Sequence, residues 1–174
     1  MIYIISDTHF SHTRILVYAK RPFKTIKEMN EKIIENWNKK VGKNDIILHL
    51  GDFALGRKTE LIKIKDRLNG HIMLINGSHD RDVLKIKDDK FIIINGTLKL
   101  GHIIFSHEPL MKKEIPVGFT NVHGHIHNKD SYNGINVSVE KINYTPLRLD
   151  ELQELIKNLN KQNEKNKQTE KNKK

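Results

Sequence analysis

Ile2-Tyr3-Ile4-Ile5-Ser6-Asp7-Thr8-His9 opens the chain with a short β-branched run that ends on an acid and a histidine two residues apart. The run reads as a strand, and the same event recurs along the chain. Ile47-Leu48-His49-Leu50 leads to Gly51-Asp52, and Met73-Leu74-Ile75-Asn76 leads to Gly77-Ser78-His79-Asp80. Ile103-Ile104-Phe105-Ser106 leads to His107, and Asn121-Val122 leads to His123-Gly124-His125-Ile126-His127. In open α/β sheets ligands gather outside the carboxyl ends of the strands, so these residues can converge on one rim. Asp-x-His alone is most often a surface turn, and Gly-Asp alone is more often a turn than a ligand. The ordered conjunction of five such motifs is what points to a metal centre.

Spacing supports that reading. Asp7 and His9, like His125 and His127, are two apart, so in an extended segment both side chains of a pair face one way. Gly51, Gly77 and Gly124 adjoin the ligand-type residues, where a chain turns sharply or makes a close approach.

Between these motifs the pattern is helical. Thr25-Ile26-Lys27-Glu28 is a capping box, followed by Ile26, Met29, Ile33 and Trp37 at helical spacing, with Gly42 as the stop. Residues 45–50 read as a strand, 59–68 as a helix, 72–75 as a strand and 80–86 as a short helix. Residues 91–94, 97–100, 103–105 and 135–139 read as further strands. Asn95-Gly96 carries a hairpin signal, so the second half is expected to be mostly antiparallel hairpins. The first half is βαβαβ, which favours a parallel sheet. Asp150-Glu151-Leu152-Gln153 resembles a capping box for a last helix. Apolar periodicity stops after Asn160, so the chain divides into a domain over 1–160 and a basic, disordered tail over 161–174.

Composition narrows the class. The 174 residues, 37% hydrophobic and 30% charged, suit one domain with a core. There is no cysteine, so disulfides are excluded and any metal is held by oxygen and nitrogen. No apolar run reaches the ~18 residues a membrane helix needs. A cleaved signal peptide would remove Asp7 and His9, so a cytoplasmic setting is expected. The net charge of +10 invites a nucleic-acid partner. It is discounted because residues 157–174 supply +5 of it, and because 25 Lys stand against only 6 Arg.

The motifs Asp7-Thr8-His9, Gly51-Asp52, Gly77-Ser78-His79-Asp80, His107 and Gly124-His125-Ile126-His127 resemble, in this order, the calcineurin-like metallophosphoesterases over about residues 1–145. The stretches SDTHFSH (residues 6–12), Arg21-Pro22-Phe23 and HLGDF (residues 49–53) are closer still to small, uncapped bacterial and phage members. The resemblance implies a four-layer αββα sandwich of two mixed sheets flanked by helices. It implies one metal held by Asp7, His9, Asp52 and His127, and a second held by Asp52, the residue at 78, His107 and His125. His79, with Asp80 beside it, is implied as the catalytic pair. Two divalent ions follow, Mn²⁺ first and Fe²⁺, Zn²⁺ or Ni²⁺ as alternatives.

Two departures matter. The family places Asn where this chain has Ser78, a shorter neutral ligand that could act through a bridging water, with Asn76 as a substitute should the loop shift. The extended phosphatase motif Gly-Asp-x-x-Asp-Arg-Gly is absent, since Gly51-Asp52 continues as Phe53-Ala54-Leu55-Gly56, which disfavours a phosphoprotein substrate. Of the remaining residues, His12 either touches substrate phosphate or caps a helix. Arg21 either clamps phosphate or forms a surface salt bridge. His49 and His123 are expected to be structural or supporting.

The expected function is a metal-dependent phosphohydrolase, foremost a phosphodiesterase with a binuclear centre and a metal-bridging hydroxide. Its substrate is a small phosphoester, nucleotide or nucleic-acid derivatives included, with no membrane or protein partner in view. The competing readings are a nuclease of the same fold and a disabled relative that binds without catalysis.

Overall fold

The computed structural model describes residues 1–86, 88 and 91–171, with side chains through Lys161. Strands β1 (Ile2–Ile5), β2 (Ile46–His49), β3 (His71–Ile75) and β4 (Phe91–Ile94) lie parallel in one sheet, and β9 (Leu147–Arg148) joins β1 antiparallel. Helices α1 (Ile15–Tyr18), α2 (Ile26–Lys40) and α3 (Lys58–Lys65) are the crossovers. A second sheet holds β5 (Leu98–Leu100), β6 (Ile103–Phe105), β7 (Thr120–His123) and β8 (Ile135–Asn136) in that order. The helix α4 (Leu149–Lys171) closes the described chain. The fold is α/β, two mixed sheets with flanking helices, as expected.

Alternation along each strand explains why the first sheet reads as continuous apolar runs. Tyr3, Ile5, Ile47, Ile72 and Leu74 face one core with Met29, Ile33 and Trp37 of α2 and Leu61 and Ile64 of α3. Ile4, Leu48 and Ile75 face the other core, between the sheets, with Ile103, Phe105, Val122 and Leu152 of α4. A sheet covered on both faces needs apolar residues at both phases of the pleat. At the start of α2 the Thr25 hydroxyl accepts from Glu28 N at 3.1 Å, while the Glu28 carboxylate reaches back to Lys24 N at 2.8 Å.

Several expectations change. Asn95-Gly96 is no hairpin: β4 pairs with β3 and β5 with β6, so this turn, with Gly96 at φ +89°, carries the chain from one sheet to the other. Phe91 and Ile93 pack on the helix-side core and Ile94 on the other, a two-faced pattern that fits beside β3. The second sheet is also mostly parallel, since β6–β7 and β7–β8 are parallel pairs and only β5–β6 is antiparallel. Finally, α4 begins at Leu149 and continues in regular helix to Lys171, past the expected start of a disordered tail. Its first turn is held by Glu151, whose carboxylate accepts from Arg148 N at 2.8 Å, two residues ahead of the expected cap at Asp150. Lys, Glu and Gln sustain helix without apolar periodicity. Residues 172–174 of the expected tail lie outside the described residues. Residues 80–86 form only a turn of 3₁₀ helix, Val83–Lys85.

Candidate metal centre

The rim beyond β1, β2, β3, β6 and β7 gathers the five motifs. Ligand atoms of Asp7, His9 and His127 lie within 4.8 Å of one another, and so do those of Asp52, His107 and His125. The two groups meet at Asp52, whose Oδ2 is 3.4 Å from His9 Nε2 and 3.5 Å from His107 Nε2. Its other oxygen, Oδ1, accepts from the backbone N of His79 at 2.8 Å.

The backbone reaches this arrangement by a route that spacing did not foresee. Asp7, His9, Asp52, His125 and His127 all adopt positive φ, between 47° and 69°, so neither Asp-x-His nor His-x-His is extended. Such conformations cost about 1–3 kcal/mol each in non-glycine residues and persist where the surroundings over-determine them. Here the β1–β2 ladder continues into the loops: Asp7 N bonds Gly51 O, His9 N bonds Asp52 O and Phe10 N bonds Phe53 O, at 2.9–3.0 Å. Both Asp7 oxygens accept from His125 N, at 3.0 and 2.9 Å.

The adjoining glycines are required by close approach. A Cβ on Gly124 would stand 1.9 Å from Ser6 Oγ and 2.2 Å from Asp7 Oδ2, and one on Gly77 would stand 2.4 Å from Asp52 N. At Gly51 a Cβ would meet His107 Nδ1 at 2.4 Å, and its φ is +95°.

The donor set fits divalent metal. Both ring nitrogens of His9 are buried without a hydrogen-bond partner, an arrangement that costs free energy unless a ligand takes the lone pair. Burial, reinforced by Arg21 and the neighbouring imidazoles, holds His9 far below its ordinary pKa, in the neutral form that binds metal. Burial pushes the Asp7 carboxyl up. At His127 burial acts downward, but its bond to Glu140 and the nearby Asp7 outweigh it and the pKa rises.

His79 is exposed at the rim and belongs to neither group, its ring centroid 5.6 Å from that of His9. His12 lies beside both, 5.5 Å from His9 and 6.5 Å from His79, and its carbonyl accepts from Ile15 N at the start of α1. Its ring therefore lies beside those of His9 and His79, while the N-cap of α1 is Arg14. Ser78 is exposed.

Asp80 and Arg21 depart from expectation. Asp80 is fully buried, and its oxygens accept from the backbone N of Gly77, Asp52 and Phe53, each at 2.8 Å. It ties the two loops together through those amides. Arg21 is neither a surface ion pair nor a clamp facing the cleft. It is buried, and its guanidinium donates to Asp7 O at 2.6 Å, to Thr8 O at 2.9 Å and to Glu140 Oε1 at 2.8 Å. Backbone carbonyls turned inward by the positive-φ loop supply partners that a sequence does not display.

His49 and His123 are structural, as expected. The Thr8 hydroxyl donates to Phe53 O at 2.7 Å, so His49 Nε2–H donates to Thr8 Oγ1 at 3.0 Å, and burial pushes His49 down to about 3. His123 Nδ1 is 2.9 Å from Gly124 O and its Nε2 is 2.7 Å from Ser131 Oγ. The residues that motif reading missed are Ser138, whose hydroxyl donates to Asp7 Oδ2 at 2.9 Å, and Glu140, 3.2 Å from His127 Nδ1. Glu140 is an acid directly after the run Ile135-Asn136-Val137-Ser138-Val139. The positional rule that found Asp7 and Asp52 therefore applied to it too.

This rim of acids and imidazoles on two mixed sheets defines a metallophosphoesterase architecture. The calcineurin-like phosphoesterase model matches residues 1–171, and the chain belongs to that family. It is 36% identical over 171 residues to the uncharacterized protein MJ1445 of Methanocaldococcus jannaschii, a match covering 89% of this chain and 90% of that one. Among solved structures it is similar to AQ665 of Aquifex aeolicus, a protein of unknown function, at a TM-score of 0.70 and 27% identity over 89% of this chain and 98% of that one. A looser likeness to the Pseudomonas putida nuclease MPE has a TM-score of 0.47 and 18% identity over 72% of this chain and 60% of that one, and bears on nothing further.

Proposed function

We propose that the protein is a metal-dependent phosphodiesterase with a binuclear centre, acting on small or nucleotide-derived phosphoesters. The observation that carries this is Asp52 Oδ2, set between His9 Nε2 at 3.4 Å and His107 Nε2 at 3.5 Å, one imidazole from each group. In this reading Asp7, His9 and His127 hold one ion, His107 and His125 with Ser78 hold the other, and Asp52 joins them. Bound Mn²⁺, or Fe²⁺, Zn²⁺ or Ni²⁺, supplies Lewis acidity toward phosphoryl oxygens and an activated water.

The chain's own groups do the rest. His79, outside both groups and open to solvent, donates a proton to the leaving oxygen. Asp52 Oδ1 fixes the loop that carries it through the bond from His79 N. Asp80 locks that loop to the Asp52 loop through three backbone amides. His12, beside His79, meets a phosphoryl oxygen at the mouth of the cleft.

The test is a panel of phosphodiesters and phosphomonoesters assayed with Mn²⁺, Ni²⁺, Zn²⁺ and Mg²⁺. Diester hydrolysis that depends on added ion is expected. Inertness toward the whole panel with every ion sinks the reading. One observation favours a second reading, a binding protein with an impaired site: Ser78 is exposed and replaces a longer amide ligand. Metal occupancy separates the two.

A further inference from the structure

We infer that Glu140, paired with Arg21, is a positioning residue that builds the Asp7/His9/His127 half of the metal centre and sets its affinity apart from the other half. This rests on the reading of those three side chains as ligands of one ion.

Glu140 and Arg21 are 119 residues apart in sequence, and their side chains are covered, with exposures of 6% and 0%. A single oxygen, Glu140 Oε1, accepts from Arg21 Nε at 2.8 Å and from His127 Nδ1 at 3.2 Å, with Arg21 Nη2 in ion-pair contact at 2.8 Å. The same guanidinium carries the carbonyls of Asp7 and Thr8. One ion pair therefore orients a ligand histidine on one side and the positive-φ loop holding Asp7 and His9 on the other. With Nδ1–H committed to a carboxylate, the tautomer of His127 is fixed and Nε2 is left with its lone pair. A carboxylate in this place also raises the basicity of the ring.

Among the described residues, neither imidazole of the other half has a carboxylate on its Nδ1. His107 Nδ1 bonds a neutral carbonyl, Leu50 O, at 2.8 Å. His125 Nδ1 faces His107 Nε2 at 3.2 Å. A buried ion pair is a poor source of net stability. Its value here is orientation of the Asp7 side of the centre.

The experiment is Mn²⁺ titration of the apo protein, followed by calorimetry and by the Mn²⁺ EPR signal, for wild type and Glu140→Gln. Thermal unfolding in EDTA reports folding separately. Gln keeps an acceptor at Oε1 and removes the charge. We expect one of two binding events to weaken by about 10–100-fold, the usual effect of losing such a partner, with the other event unchanged. Arg21→Met/Glu140→Gln removes both buried charges together, and the same selective loss is expected if the single variant folds poorly. Wild-type affinity at both events in the folded variants overturns the role of Glu140. So does an equal loss at both events, which is what a merely structural residue would give. A wild type that binds no Mn²⁺ overturns the metal reading itself.

Discussion

Asp52 Oδ2 stands 3.4 Å from His9 Nε2, and neither ring nitrogen of His9 has any other polar partner within hydrogen-bonding distance. A neutral buried imidazole and a carboxylate placed this way gain little from each other without a proton or a cation between them. Burial disfavours the imidazolium form of His9, and neither nitrogen of the neutral ring makes a hydrogen bond. The pair is therefore the clearest mark of a cation-binding design in the molecule.

His79→Ala separates chemistry from metal binding. The ring stands outside both ligand groups, so the variant should bind metal as wild type does. Removing a general acid typically costs about 10²–10⁴-fold, and kcat should fall by that amount on a diester with a poor leaving group. A smaller loss on an activated aryl ester, whose leaving oxygen needs no proton, would mark the role as acid. Loss of bound metal in the variant would instead make His79 a ligand.

Ser78→Asn tests the short ligand. An amide oxygen reaches further from the backbone than a hydroxyl and needs no bridging water. The weaker of the two metal-binding events should tighten, and activity at limiting metal should rise. Equal titration curves for wild type and variant would mean that Ser78 already coordinates well or that another residue, such as Asn76, serves in its place. Asn76 Oδ1 is buried without a partner, which keeps it a real alternative.

His49 gives a pH dependence. Its folded pKa is depressed to about 3, from 6.5, by burial first and His107 second. Between those values the unfolded chain binds a proton that the folded chain does not. Stability is therefore unaffected above pH 6.5 and is lost as pH falls toward 3, at up to about 1.4 kcal/mol per pH unit for this group. In EDTA, urea unfolding of wild type at pH 7.5 and pH 5 should show that loss, and His49→Gln should show a shallower one. Parallel slopes would remove His49 as the cause.

The residues that share the rim were legible because each follows a strand, and short continuous apolar runs announce strands. The parallel first sheet was legible for the same reason. What stayed hidden follows from physics that a string of letters does not display. The inward turn of Asp7, His9 and Asp52 depends on positive φ, which their identity does not encode. Arg21 looked like a surface or substrate cation because its partners are two backbone carbonyls and Glu140. Asp80 looked catalytic because its three partners are backbone amides. Asn95-Gly96 turns the chain as its letters say, but whether the next strand returns beside β4 is decided by which faces of β3 and β4 are buried.

Residues 161–174 should be dispensable for catalysis. The part of α4 that enters the core is its beginning, where Leu152 is fully buried, while Leu155 is already half exposed. Deleting residues 161–174 should leave turnover of a small diester and the melting temperature nearly unchanged. A large loss of either would show that this end of α4 docks on the domain.

The most direct measurement is the number of Mn²⁺ ions bound per chain by wild type and by Asp52→Asn, with diester hydrolysis followed in the same samples. The account predicts two binding events in wild type, metal-dependent hydrolysis, and weakening of both events together in Asp52→Asn, because one carboxylate serves both halves. Wild type that binds no ion, or an Asp52→Asn variant that binds both as tightly as wild type, would contradict it.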